Sequence, residues 1–182
     1  MDQQTITSCI KGDTTAQTQL YNTFAPKMYA ISLRYAPDAD MAQDILQEGF
    51  IKVFSKLHSY SGKGELGGWI RRVIINTALE HLRKYQNPKY HFSDIDLFHD
   101  LSGTEDILDH MSLQEVLDAI QLLPTNYRLV LNLYAIDGYT HQEISDLLQI
   151  SIGNSKQRLL RARNMLKKLM TENPALFYEA RA

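Results

Sequence analysis

From Leu123 to Met170 the chain reads LPTNYRLVLNLYAIDGYTHQEISDLLQISIGNSKQRLLRARNMLKKLM. The chemistry of this stretch is cationic. Lys156, Arg158, Arg161, Arg163, Lys167 and Lys168, with Gln157 among them, follow Ser151, and no acid intervenes before Thr171. Ammonium and guanidinium groups hold phosphates, and arginine, glutamine and asparagine also pair with base edges in a major groove. A helix that is apolar on one side and cationic on the other needs a polyanion, and duplex DNA is the natural one. The plainer reading is a solvated basic face on an ordinary helical hairpin. An acid-free basic run in a chain of net charge −2 favours DNA.

Such a face must be positioned by the elements ahead of it. Thr140 and Glu143 have capping-box spacing, which predicts a short helix from Thr140 to Leu148. Ile144, Leu147 and Leu148 give that helix one apolar face. Gln149, Ile150 and Ser151 form the turn, and Ser151 caps a second helix. Its inward positions are expected to be Ile152, Ser155, Leu159, Leu160, Leu166 and Leu169, with the cations outward. The pattern is a helix-turn-helix ending in a recognition helix.

Composition bounds the rest. The 182 residues suffice for one large or two small domains, and 44% hydrophobic with 22% charged residues is typical of a globular protein. The slight negative charge makes whole-molecule attraction to nucleic acid weak, so binding must come from local patches. Cys9 is the single cysteine, so no disulfide forms within the chain, which fits a reducing cytoplasm. MDQQTITSCIKGD has no basic segment ahead of an apolar core, so no secretory signal is expected. No apolar run approaches the roughly 18 residues of a membrane span.

Helical periodicity runs along nearly the whole chain. Gly12-Asp13 ends a first short helix, and a second runs from Thr14 or Thr15 to about Tyr35 through Leu20, Phe24, Met28, Ile31 and Leu33. Pro26 is expected to kink or break it. Asp38 caps a third helix, with Met41, Ile45, Phe50, Val53, Phe54 and Leu57 inward and Asp40, Asp44 and Glu48 exposed. SYSGKGELGG, residues 59–68, reads as a flexible loop with four glycines. A fourth helix covers Trp69 to Lys84, with Trp69, Ile70, Val73, Ile74, Leu79 and Leu82 inward and Arg71, Arg72, Arg83 and Lys84 outward. Asn87-Pro88 closes this part. An acidic segment follows, and the helical pattern returns near Glu105 with Ile107, Leu108, Met111, Leu113, Val116, Leu117, Ile120 and Leu123. Pro124 opens another helix, which places Val130, Leu131 and Leu133 inward and ends at Gly138. The expected fold is all-α: a domain over 1–88, a linker over 89–106, a second domain over 107–172 and a tail over 173–182.

Taken together, DADMAQDILQEGFIKVFSKL, the glycine-rich loop, GGWIRRVIINTALEHLRK and the final helix-turn-helix resemble the extracytoplasmic-function (group IV) sigma factors of bacterial RNA polymerase. The resemblance covers about Leu20 to Lys168. It implies a region 2 in the first domain, a region 4 in the second and a promoter-recognition subunit rather than an enzyme. Core RNA polymerase would be the partner, through the beta-prime coiled coil and the beta flap. On the first domain, Asp44, Gln47 and Glu48 match the segment that docks on beta-prime. An acidic face with apolar flanks suits a basic helical partner.

Tyr60, Ser61 and Lys63 of the loop, with Arg72, Asn76, Glu80 and Arg83 of the basic helix, would meet the single-stranded −10 element, where polar groups read a base once it leaves the stack. Asn76 matches the family asparagine at this strand. Glu80 departs from the usual residue and would prefer a base amino group. Trp69 is expected to be core. On the second domain, GNSKQRLLRAR matches the family's −35 helix, so Asn154, Ser155, Lys156, Gln157, Arg158, Arg161 and Arg163 would meet double-stranded −35 DNA. Lys156, Gln157 and Arg161 would face −35 bases, while Arg158 and Arg163 would serve mainly phosphates. Ile152 departs from the family pattern, either packed against Ile144 or exposed.

No cofactor or metal is expected. Asp94, Asp96, Asp100 and Glu105 have calcium-loop spacing, but Phe98 and His99 stand where an acceptor and a glycine are needed. His91, His99 and His110 have no ligand-like pairing. The resemblance places the protein in the cytoplasm, without membrane insertion, and leaves room for an anti-sigma partner. The alternative is a stand-alone helix-turn-helix regulator whose first domain senses a ligand or dimerises. A helical hydrolase using the His/Asp cluster lacks a nucleophile-base pair.

Overall fold

The computed structural model describes residues 1–85 and 113–172. The acidic segment, its calcium-like spacing and the expected return of helix over 105–112 lie outside the described residues. The chain divides into two compact units, Met1–His91 and Phe92–Ala182. Every regular element among the described residues is helical.

In the first unit α1 is Gln3–Ile10, α2 Thr14–Tyr35, α3 Ala39–Lys56 and α4 Leu66–Tyr85, with a 3-10 turn at Leu57–Ser59. An aspartate starts each of the first three. Carboxylates of Asp2, Asp13 and Asp38 accept from the backbone N–H of Thr5 (2.7 Å), Ala16 (2.9 Å) and Met41 (2.8 Å). Each bond satisfies a donor that the first helical turn leaves open, a contribution of about 1 kcal/mol. Pro26 neither breaks α2 nor ends it. Pro26 has no N–H to donate to the Asn22 carbonyl, and both residues are exposed, while Ala25 and Met28 are held in the core.

α2, α3 and α4 pack on one another, and α1 leans on α2. Leu20, Tyr35, Ile45, Val53, Leu57, Ile70, Ile74 and Ile75 are essentially sealed from solvent. Each buried aliphatic side chain contributes about 1.5–3 kcal/mol. Tyr21 and Phe50 meet tilted at 4.7 Å. Gly49 permits the close approach of α3 to α4, since a β-carbon there would overlap Ile74 Cδ1.

α4 begins three residues earlier than the sequence predicts, at Leu66 rather than Trp69. The Glu65 carbonyl accepts from the N–H groups of Gly68 (3.0 Å) and Trp69 (3.2 Å), which starts the helix inside the glycine-rich stretch. Leu66 is buried and anchors that first turn. The loop proper is therefore 60–65, with Gly62 and Gly64 at positive φ. Leu33, expected inward, is 38% exposed.

In the second unit α5 is Leu113–Gln121, α6 Thr125–Leu131, α7 His141–Leu148 and α8 Ile152–Glu172. α8 packs against α5, α6 and α7. Leu129, Val130, Leu131, Leu133, Ile144, Leu148, Leu159 and Ala162 form the core. Buried Arg128 closes α5: its Nη1 donates to the Gln121 carbonyl (3.0 Å) and to Gln121 Oε1 (2.6 Å). Burial lowers the pKa of its guanidinium.

The helix expected from Pro124 to Gly138 does not remain α-helical. After Leu131 it widens into a π turn over Asn132–Ile136, where Asp137 N–H donates to the Asn132 carbonyl (2.9 Å). Gly138, at φ +76°, then reverses the chain, and Tyr139 N–H reaches the Leu133 carbonyl (2.9 Å).

Candidate nucleic-acid interface

The helix-turn-helix is built as its residues dictate. The capping box is complete. Thr140 Oγ1 accepts from Glu143 N–H (3.2 Å), and Glu143 Oε2 accepts from Thr140 N–H (2.8 Å). Gln149 takes the left-handed conformation at φ 55°, which costs a non-glycine residue about 1–2 kcal/mol. Local bonds offset that cost: Gln149 Nε2 donates to the Asp146 carbonyl (2.7 Å), and Ser145 Oγ donates to the Ile150 carbonyl (2.6 Å). Ser151 Oγ accepts from Asn154 N–H (3.0 Å) and starts α8.

Which residues α8 turns outward follows from 3.6 residues per turn. Ser155, Arg158, Leu159 and Ala162 form the buried face. Lys156, Gln157, Leu160 and Arg163 form the exposed one, while Asn154 and Arg161 are half-buried beside it. This corrects the sequence reading at Arg158 and Leu160 and decides it at Ser155 and Ile152. Arg158 is 1% exposed, so it is a core residue rather than an outward cation. Ser155, expected among the inward positions and also counted among the DNA contacts, is buried; its hydroxyl is 2.9 Å from His141 Nδ1. Leu160, expected inward, is exposed, and of the two placements left open for Ile152 it takes the exposed one. Lys167 and Lys168 are half-buried.

Tyr134 stacks on His141 at 4.4 Å and 21°. Burial, then Lys156 and Arg163, lower the His141 pKa. The imidazole therefore favours its neutral form and bridges α7 to α8 through Ser155. Sequence reasoning missed this joint, because the two residues are 14 apart and share no motif.

On the first unit, Arg72, Asn76, Glu80 and Arg83 are all exposed, and their spacings of four, four and three put them on one stripe of α4. Ser61 and Lys63 are exposed in the loop, and Tyr60 is half-buried. The Tyr60 hydroxyl donates to the Gly64 carbonyl (2.6 Å), which ties the loop across its own tip. Trp69, expected in the core, is only half-buried. It meets Tyr60 in a tilted pair at 5.9 Å, because the early start of α4 places it beside the loop.

The acidic face of α3 is less uniform than its sequence. Asp44 and Gln47 are exposed. Glu48 is committed within the unit: Lys52 Nζ lies 2.7 Å from Oε1, and His81 Nε2 lies 2.6 Å from Oε2. Lys52 also donates to Glu80 Oε2 (2.7 Å). Hydrogen bonds from Lys52 and His81 bring the Glu48 carboxyl down to about 2. Desolvation opposes the Lys52 ammonium, but Glu48 and Glu80 more than offset it and raise its pKa. The i, i+4 spacing of Glu48 and Lys52 was a legible signal. The reach of Lys52 to Glu80, 28 residues on, was not.

Comparison with known proteins agrees with this architecture. The Sigma-70 region 2 family model matches residues 20–87, and the Sigma-70, region 4 model matches residues 113–166. The RNA polymerase sigma-H factor of Pseudomonas aeruginosa is 29% identical over 180 residues, covering 93% of each chain. The ECF RNA polymerase sigma-E factor of Escherichia coli strain K12 is 27% identical over 177 residues, covering 91% of this chain and 92% of the relative. Among solved structures, the sigma factor RpoE of Bartonella quintana, in complex with the anti-sigma factor NepR, aligns with TM-score 0.54 and 22% identity. That match covers 84% of this chain and 95% of RpoE. CnrH, in complex with the cytosolic domain of CnrY, aligns with TM-score 0.52 and 18% identity, over 93% and 96%. With both regions present in order and relatives matched almost end to end, the chain belongs to the sigma-70 family, as an extracytoplasmic-function sigma factor of RNA polymerase.

Proposed function

We propose that this sigma factor docks on core RNA polymerase through Asp44 and Gln47 of α3 and reads duplex −35 DNA with α8. In the same reading α4 and the 60–65 loop hold the −10 strand once it is single. The observation that carries it is the outward face of α8: Lys156, Gln157 and Arg163 project from a helix that Ser151 starts and that packs on α7, with Arg161 and Asn154 at its margin. Lys156, Gln157 and Arg161 read base edges, while Arg163 holds phosphates. Arg158 and Ser155 position the helix from inside.

On the first unit, Arg72 and Arg83 supply cations, and Asn76 between them offers a carboxamide that both donates and accepts. Ser61 and Lys63 face the same strand from the loop. Glu80 is partnered by Lys52, so its charge is moderated at the DNA surface. Glu48 supports the docking face by fixing α3 to α4 rather than by projecting to a partner. Region 2 occupies the first domain and region 4 the second.

The protein acts as a binding subunit in the cytoplasm, without catalysis of its own, and opens DNA by trapping unstacked bases. A net charge of −2 suits this division, because the polymerase supplies most of the phosphate affinity. The beta-prime coiled coil and beta flap are the docking partners, and the solved complex of RpoE with the anti-sigma factor NepR supports an anti-sigma factor as a further one. The test is runoff transcription with purified core polymerase. Added protein is expected to direct specific transcripts from promoters bearing both elements; unchanged transcription would overturn the reading. The stand-alone regulator is not favoured, since both sigma-70 regions are present in order.

A further inference from the structure

The outward face of α8 carries one residue that its chemistry does not explain. Leu160 is 58% exposed, among the most exposed large apolar side chains in the protein. Lys156 and Gln157 lie one turn before it, and Arg163 and Asn164 one turn after, so it stands in the middle of the cationic face. A leucine held in water amid cations gains nothing for the fold, since Leu159 and Ala162 already fill the buried side. It contributes if the surface that covers it offers apolar contact. On a polyanion read in the major groove, the one apolar group at the base edges is the 5-methyl of thymine.

We infer that Leu160 is a specificity-determining residue, packing against a thymine methyl in the −35 element. The inference rests on the reading of α8 as the −35 helix and adds to it a base preference. Lys156 and Gln157 would face bases one turn before it and Arg163 would hold the backbone one turn after, so the leucine is pressed into the groove rather than left at its mouth. Covering one methyl is worth about a fourfold change in binding.

The experiment uses holoenzyme assembled from the full chain and core polymerase. Wild type, Leu160→Ala and Leu160→Met each select from duplexes randomised in the upstream element. Deoxyuridine, which lacks only the methyl, then replaces each thymine of the selected site in turn. Wild type is expected to enrich thymine at one position and to lose about fourfold in promoter binding when that base becomes deoxyuridine. Leu160→Ala should lose both the enrichment and the sensitivity, and Leu160→Met should keep them. Indifference of wild type to every missing methyl would overturn the proposal. So would a Leu160→Ala loss equal on all templates, which would mean that Leu160 faces a protein. Failure of the underlying reading looks different: wild-type holoenzyme would select no upstream element at all, which overturns both.

Discussion

At the scale of single residues, charge and exposure separate roles that the sequence runs together. Arg158, Arg161 and Lys167 lie on one helix, yet they are buried, half-buried and half-buried further along. Arg161→Ala is expected to cost about 1–3 kcal/mol at particular −35 bases and to relax specificity there. Lys167→Ala should weaken all sequences alike and lower the salt slope by about 1. Selection and salt titration of the two variants check that partition; equal, sequence-selective losses from both would refute it. Arg158→Ala should act on the fold instead, lowering unfolding stability by about 2 kcal/mol or more through the cavity it leaves, read by thermal denaturation without DNA.

Glu48 makes a pH prediction. Its folded pKa, about 2, lies below the ordinary 4.5. The stability it contributes is therefore fully present above about pH 4.5 and is lost as pH falls towards 2. Glu48→Gln should flatten the melting-temperature profile over that window, and an unaltered acid limb would show that the bonds to Lys52 and His81 stabilise nothing.

At the scale of elements, helix ends are where local sequence governs most directly. Asp2, Asp13, Asp38 and Thr140 each cap a helix with their own side chain. The α3 and α7 starts were legible because a cap needs only three or four consecutive residues. Thr140→Ala should lower stability by about 1 kcal/mol, measured by denaturant unfolding, and weaken −35 recognition through loss of α8 positioning. Three other features lay beyond local reading. α2 continues through Pro26, with Ala25 and Met28 on either side of it buried in the core. α4 starts inside a glycine-rich stretch because buried Leu66 anchors it. The π turn at Asn132–Ile136 inserts an extra residue per turn into a sequence that reads as plain helix.

At the scale of the molecule, the chain is two helical units with complementary chemistry. The first carries exposed Asp44 and Gln47 on α3 and a mixed cationic and amide stripe on α4; the second carries the cationic face of α8. A subunit recruited by polymerase needs little affinity for DNA by itself, which fits a slightly acidic chain. Asp44→Arg places a cation where a basic partner is expected and should abolish core-polymerase binding. Because Asp44 is exposed, circular dichroism should show the fold unchanged. Loss of helix in that variant would mean that the docking assignment is wrong.

Sequence alone determined the helical class, the order of the two sigma-70 regions, the cap and turn of the helix-turn-helix, and the presence of an acidic, a mixed and a basic segment. Those properties depend on periodicity and on contacts a few residues long. Tertiary structure decided which members of each segment remain available. It drew Arg158 into the core and put Leu160 and Ile152 outside. It spent Glu48 on Lys52 and His81, and Lys52 on Glu80. The physical reason is that a helix face is set by which neighbour buries it. An arginine, a glutamate or a leucine carries the same side chain whether the packing turns it towards the core or towards a partner.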